Sequence, residues 1–213
     1  MKKTLLLAAT LAAASSTCFA QSASRWYLGA GIGSASIAQD YSGSILAVPG
    51  ATTSNVIVNS SDTPARIFAG LKFTPYVGLE TGFQSFGKYG ARNVVSAPAG
   101  VAGTYDTTWK VSGVHLDLIA TLPITDSMSL SGKAGVIRAR TQVESTAPGF
   151  TSSASGDKFS FRYGAAFQID FSSWLAFRAD AEINKNATKG SLVGINDPSL
   201  DYRVITGNVI FKF

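Results

Sequence analysis

Apolar and polar residues alternate with a period of two along most of the chain after residue 25. The pattern is clearest over residues 158–171. Phe159, Phe161, Tyr163, Ala165, Phe167, Ile169 and Phe171 share one side, and Ser160, Arg162, Gly164, Ala166, Gln168 and Asp170 share the other. That period belongs to a strand whose two faces meet different surroundings. Seven further segments read the same way: residues 25–37, 65–73, 76–86, 107–122, 128–143, 174–186 and 201–213. Residues 74–75, 123–126 and 172–173 join neighbouring segments as short turns with Pro, Asp or Ser at the bend. Residues 39–62, 87–106, 144–157 and 185–200 are rich in Ser, Gly, Ala, Thr and Asn and read as long loops. Eight strands joined alternately by short turns and long loops place both chain ends and all the short turns on one side.

The final segment decides which solvent lies outside. Phe213, Phe211, Val209, Gly207 and Ile205 fall on one face and Lys212, Ile210, Asn208, Thr206, Val204 and Tyr202 on the other. An exposed edge strand ending Phe-Lys-Phe would invite aggregation in water. In a barrel that spans a bilayer, the last strand closes against the first and its terminal aromatic sits at the interface. A soluble eight-stranded barrel or sandwich needs the reverse radial order, apolar inside and polar outside. Three features favour lipid outside. The polar face carries charges of both signs, which can pair with one another. Glycine recurs on that face, where a narrow lumen needs room. Aromatics gather at strand ends, at Trp26, Phe73, Phe171, Trp174, Phe211 and Phe213, as an interfacial belt requires. The expected fold is therefore all-β, an eight-stranded antiparallel up-and-down transmembrane β-barrel.

The first twenty residues read as a separate unit. Met1-Lys2-Lys3 is basic, residues 4–14 are apolar and too short to span a bilayer, and Cys18-Phe19-Ala20 ends in a small-x-small pattern. This order indicates a secretory signal cut after Ala20 rather than a buried first helix. Ser15-Ser16-Thr17 lacks the residues that precede a lipoprotein cysteine. Residues 21–213 then form one barrel domain. Without Cys18 this domain has no cysteine, so no disulfide stabilises it. Removing Lys2 and Lys3 from the 18 basic residues leaves 16 against 13 acidic ones, too small and too dispersed an excess for nucleic acid. No apolar run after Ala20 reaches the roughly 20 residues of a spanning helix, so a membrane would be crossed as strands.

Several stretches resemble the OmpA-like transmembrane domain family. Phe73-Thr-Pro-Tyr-Val-Gly-Leu-Glu-Thr-Gly-Phe83 is similar to the turn between its second and third strands, and Leu122-Pro-Ile-Thr-Asp126 to its next periplasmic turn. Ala176-Phe-Arg-Ala-Asp-Ala-Glu182 is similar to its seventh strand, and Trp26-Tyr27 and Phe-Lys-Phe fit the first and last strands. The loops do not match, and the resemblance does not extend to the peptidoglycan-binding domain of full-length members. It implies a luminal ion-pair cluster in which Glu80 meets Arg178 and Lys133. The family's fourth-strand Lys is Ile119 here, which removes one partner for any switching of ion pairs. By alternation alone, the lumen should hold Lys72, Glu80, Asp117, Lys133, Arg162, Gln168, Arg178, Asp180 and Glu182.

Three functions from different classes follow. The first is a structural outer-membrane protein whose extracellular loops contact surfaces or host molecules. The second is a small, mostly closed ion pore. The third is a lipid-modifying enzyme. That chemistry needs His paired with Ser or a carboxylate, and His115 has only Asp117 on its face, in the lumen, away from acyl chains. No catalytic residue, metal cluster or cofactor motif is expected; Gly29-Ala-Gly-Ile-Gly33 precedes no helix and so is not a phosphate loop. The expected setting is the outer membrane of a Gram-negative bacterium. The expected partners are outer-membrane lipid and lipopolysaccharide, the barrel-assembly machinery through the last strand, and an extracellular ligand whose identity the charge-poor loops do not give.

Overall fold

The computed structural model describes residues 26–38, 53–97, 102–189 and 199–213. The proposed signal segment lies outside them. Ten strands are present among the described residues: β1 Trp26–Ile37, β2 Thr53–Asn59, β3 Ser61–Asp62, β4 Ala65–Lys72, β5 Val77–Ala97, β6 Gly103–Pro123, β7 Met128–Ala147, β8 Phe150–Asp170, β9 Leu175–Thr188 and β10 Leu200–Lys212. Eight of them, all but β2 and β3, form an antiparallel ring in sequence order, which β10 closes by pairing with β1 from Tyr27↔Lys212 to Ile37↔Tyr202. The ring leaves its embedded part no free edge, which is what a bilayer demands of a sheet. The alternation sets the register, because a one-residue slip would turn every side chain to the opposite face.

Three turns at one end share a local chemistry. Phe73-Thr74, Ile124-Thr125 and Phe171-Ser172 each bring two backbone N–H groups to the carbonyl of Val77, Met128 and Leu175, respectively. The Thr or Ser hydroxyl accepts from a backbone N–H two or three residues on, at 3.0 Å for Leu175 on Ser172 and 3.3 Å for Ser127 on Thr125. The six aromatics of the expected belt all lie at this end and are exposed, with Trp174 stacked on Phe211 at 6.2 Å.

Two of the expected loops are strands instead. Residues 87–97 and 103–106 continue β5 and β6, with pairing as far as Val95↔Gly103. Residues 144–147 and 150–157 continue β7 and β8 up to Ala147↔Phe150. Only Pro148-Gly149 separates the last two, and Gly149 has φ 75°, as the third position of a type II turn after Pro requires. In the expected loop 39–62, Thr53–Asn59 pairs with β5 and Ser61–Asp62 with β1; residues 39–52 lie outside the described set. In the expected loop 185–200, β9 continues to Thr188, and residues 190–198 lie outside the described set.

The wall is therefore uneven. β5 to β8 run 20 or 21 residues, whereas β1, β4, β9 and β10 run 8 to 14. A bulge between Ser85 and Gly87 marks where β5 starts to rise above its short neighbour β4. Gly87 takes φ 96° there. The extra residue shifts the parity of β5, so that Gln84 and Phe86 below it and Tyr89 above it all face inward. Asp62 locks this corner by accepting the backbone N–H groups of Thr63 and Lys88. Those two bonds hold its carboxyl below the usual carboxylate range.

Candidate functional site: the lumen and the sheet above it

The lower lumen is a closed ionic cluster. Glu80 takes Arg178 Nη2 at 2.7 Å, Arg66 Nη2 at 3.4 Å and Lys133 Nζ at 3.6 Å, and Tyr27 donates its hydroxyl to the same carboxylate at 3.1 Å. Glu182 contacts Arg66 at 2.6 Å and also Lys133 and Arg162. Asp180 meets Lys133 at 2.7 Å and Arg178 at 3.0 Å, and accepts from Asn208 at 2.6 Å. Asp117 lies 3.3 Å from Arg162 Nε and 3.0 Å from His115 Nδ1. All these side chains are buried. Four cations, Arg66, Lys133, Arg162 and Arg178, face four anions, Glu80, Asp117, Asp180 and Glu182. The cluster therefore balances without a bound ion and without a proton on His115.

Glycines make the cluster geometrically possible. Glu80 lies opposite Gly70, Gly135 separates Asp117 from Arg162, and Gly164 separates Lys133 from Glu182. A Cβ on Gly29 would stand 2.2 Å from the Phe68 ring, and one on Gly70 would stand 1.9 Å from the Tyr27 ring. Phe68 uses that room to lie beneath two guanidinium groups, Arg66 at 4.5 Å and Arg178 at 4.6 Å from its centroid. Cation–π attraction of this kind strengthens where the cation is desolvated.

The structure brings seven of the nine expected luminal residues together. Lys72 and Gln168 face inward but stay half-exposed at the turn end, beside a cavity of about 20 Å³ that Ile119 and Arg178 also line. That is space for about one water. Gln168 donates to Asp170 at 2.7 Å, and Asp170 pairs with Lys212 at 3.1 Å. Both residues thus belong to the floor rather than to the buried cluster. Arg66, outside the expected nine, touches three of the four carboxylates. His115 is buried in the lumen, and no hydroxyl is hydrogen-bonded to its ring among the described residues.

Above the ionic cluster the lumen becomes apolar. Phe86, Tyr89, Trp109, Val111, Ile137, Val143, Leu200 and Tyr202 are buried together. Tyr202 stands 5.2 Å from the Tyr89 ring and 5.4 Å from Phe86, and Tyr89 stacks on Trp109 at 6.2 Å. Their polar tips are satisfied: Trp109 donates to Tyr202 at 3.3 Å, and Thr188 reaches both Tyr202 and Thr141. At this height the outer face turns polar, with Lys88, Lys110, Arg140, Gln142 and Glu144 exposed. This apolar plug was not expected. Its signal was present in Trp109 and Val111, which share the inward parity of His115 and Asp117.

The chain matches a family model described as the outer membrane protein beta-barrel domain over residues 4–213. A search among curated protein sequences gives no match. Among solved structures, the chain is similar to the outer membrane protein OprG of Pseudomonas aeruginosa at 17% identity and TM-score 0.56, covering 89% of this chain and 98% of that one. It is similar to Neisserial surface protein A at 14% identity and TM-score 0.54, covering 88% and 97%. Ail, the attachment invasion locus protein of Yersinia pestis, is similar at 16% identity and TM-score 0.49, covering 89% and 99%. Period-two strands, a closed ring of eight, an apolar outer band with an aromatic belt, and a family match over nearly the whole length all agree: the chain belongs to the outer membrane protein β-barrel family.

Proposed function

We propose that the protein is a structural outer-membrane component whose closed barrel anchors a sheet outside the cell, and that this sheet contacts surfaces or molecules there. The observation that supports the reading is the uneven wall. An apolar band about 25 Å tall needs roughly ten residues per tilted strand, yet β5 to β8 have 20 or 21. The surplus half of each strand stands in water. Residues 1–20 direct export and are removed, the last strand is read by the barrel-assembly machinery, and lipid and lipopolysaccharide surround the apolar band. No step of catalysis is assigned to His115. Whole cells with and without the protein, tested on surfaces coated with matrix and serum proteins, check the contact function. The reading expects binding that depends on the protein, and equal binding would refute it.

The charged lumen favours a second reading, a pore, but the same residues argue for closure. The four-by-four cluster leaves no uncompensated charge to draw ions, and the aromatic plug covers it. In planar bilayers the wild type should show no steady conductance. Glu80→Ala should lower thermal stability and produce transient openings. Large steady wild-type currents would put the pore reading first.

A further inference from the structure

The outer face of the tall wall changes chemistry along one line. On β6 the outward series passes from Leu116 and Val114 to Ser112 and Lys110, on β7 from Val136 to Arg138 and Arg140, and on β8 from Phe161 and Phe159 to Asp157. β5 passes from Phe83 to Lys88 across its bulge. The line is the upper limit of the apolar band, so the headgroups of the outer leaflet lie against it. The two limits of the band differ. The turn end carries exposed Phe and Trp and, among the described residues, no outward Lys or Arg, since Lys72 and Lys212 share the luminal parity. Aromatics suit any membrane interface. A cluster of cations suits anionic headgroups.

The cations form one patch across three strands. Lys88 and Lys110 are direct cross-strand partners. Lys110 lies opposite Gln142, so Arg140 is its diagonal neighbour at ~7–8 Å, and Arg138 follows two residues below. Like charges placed directly opposite destabilise a sheet, and neither lysine has an ion pair among the described residues. The two arginines share one carboxylate. Asp157 is 2.7 Å from Arg138 and 3.9 Å from Arg140, and both guanidinium groups stay more than half exposed. Glu144, the other carboxylate in reach, is diagonal to Lys110 on the side away from the membrane. Four cations thus face two carboxylates, and the balanced lumen behind them offers no spare anion. Above the patch, an open cleft of about 440 Å³ lies between Lys88, Lys110, Gln142, Glu144, Ser153 and Ser155.

We infer that Lys88, Lys110, Arg138 and Arg140 bind the phosphate groups of a glycolipid in the outer leaflet. This names one lipid contact of the barrel and rests on the reading that the tall wall stands outside the cell. Three parts of such a lipid meet three levels of the wall. Its acyl chains lie against Val114, Val136 and Phe161. Its phosphates sit on the line, where each arginine offers a fork of N–H donors and each lysine a point charge. Bringing Lys88 and Lys110 to one phosphate also relieves their repulsion. Its hydroxyl-rich sugars fill the cleft, whose Ser, Gln and Glu side chains donate and accept. The site is open to water, where charges are screened within about 8 Å. A free anion is therefore held weakly, whereas a phosphate tethered by its own acyl chains stays at high local concentration.

The mature chain has no cysteine, so Ser155→Cys carries a single environment-sensitive dye at the cleft. The labelled barrel is refolded in neutral detergent micelles and titrated with bisphosphorylated lipid A, and with the same lipid A stripped of phosphate. The phosphorylated lipid should saturate the signal and bind about tenfold or more tightly than the stripped one, the loss expected when charge-assisted bonds go unmade. Lys110→Gln combined with Arg140→Gln should lower the affinity by a similar factor. Arg92→Gln should not, because Arg92 stands higher on β5 and is already paired with Asp106 at 2.7 Å. Inorganic phosphate at the same concentration should not displace the lipid. All three substituted positions are exposed, and heat-modifiable migration confirms that each variant folds. Equal affinity for the two lipids, full affinity in the double variant, or displacement by inorganic phosphate would overturn the inference. On whole cells, Thr151→Cys should react with an impermeant maleimide. Protection there would remove the outward reading and the outer-leaflet site with it. Labelling there, together with full lipid affinity in the double variant, removes the site alone.

Discussion

The lower and upper halves of one strand can be compared directly in β6. Its outward residues run Leu122, Ala120, Leu118, Leu116 and Val114, then Ser112 and Lys110. Its inward residues run Ile119, Asp117 and His115, then Val111 and Trp109. Parity never changes, yet the chemistry exchanges faces near Gly113. β7 does the same: Ala134 and Val136 outside give way to Arg138, Arg140 and Gln142, while Lys133 inside gives way to Ile137 and Val143. The backbone geometry is common to both halves, so the solvent outside at each height sets the radial order. In lipid the outer face is apolar and the lumen collects the polar groups. In water the protruding half is built like a soluble barrel, with an aromatic core inside and charges outside.

This contrast can be broken at its strongest point first. Glu182→Ala would leave Arg66, Lys133 and Arg162 short of a carboxylate in the lower lumen. Removing one partner of a buried ionic set costs about 3–5 kcal/mol, readable as a fall in the urea midpoint of the refolded barrel in vesicles. In the upper lumen the corresponding loss is a cavity. Ile137→Ala should cost about 2–4 kcal/mol, with the conductance still closed, because the ionic cluster below is intact.

The outer faces give the sharper contrast. Val136 and Gln142 lie on the same face of β7, one at each level. Val136→Arg places a cation against lipid and should cost about 2–4 kcal/mol if it lies near the midplane, and less toward the interface. Gln142→Arg should stay within about 0.5 kcal/mol, as a surface change does. Equal costs would mean that both positions meet the same solvent.

How far the sequence carried this picture depends on the same contrast. Eight ring strands, their parity and the aromatic belt were legible because lipid outside and charge inside differ so much in polarity. The upper halves of β5 to β8 were not. Over residues 151–155 both faces meet water, so alternation persists in the backbone without hydrophobic contrast, and the Ser-rich run resembles a loop. In β5 the bulge at Gly87 breaks the period itself. The Pro148-Gly149 pair was the one local sign of a tight hairpin there. Parity also says nothing about height. Arg66 alternated onto the polar face, but its level beside Glu80 and Glu182 depends on register across strands. Lys72 and Gln168 share the luminal parity yet lie one level too low.

The smallest expected effect concerns the corner between the two halves. Asp62 accepts two backbone N–H bonds, so its folded carboxyl titrates below the unfolded one. A depressed folded value gives stability that is present above the unfolded value of about 3.9 and lost as pH falls through the folded value. Asp62→Asn should therefore change stability by no more than about 0.5 kcal/mol at neutral pH. It should also remove a small part of the wild type's acid sensitivity below about pH 4. Hydrogen exchange at the Lys88 amide reports the change locally.

The inversion itself is tested most directly by nitroxide labels placed one at a time at Leu118, Leu116, Val136, Arg140, Gln142 and Lys110 in lipid vesicles. Relaxation by oxygen, which concentrates in lipid, is compared with relaxation by a water-soluble nickel complex. Oxygen should dominate at Leu118, Leu116 and Val136, and nickel at Arg140, Gln142 and Lys110, with the crossover between Val136 and Arg140. Oxygen-dominated relaxation at Gln142 and Lys110, or a single ratio at all six sites, would contradict the inversion.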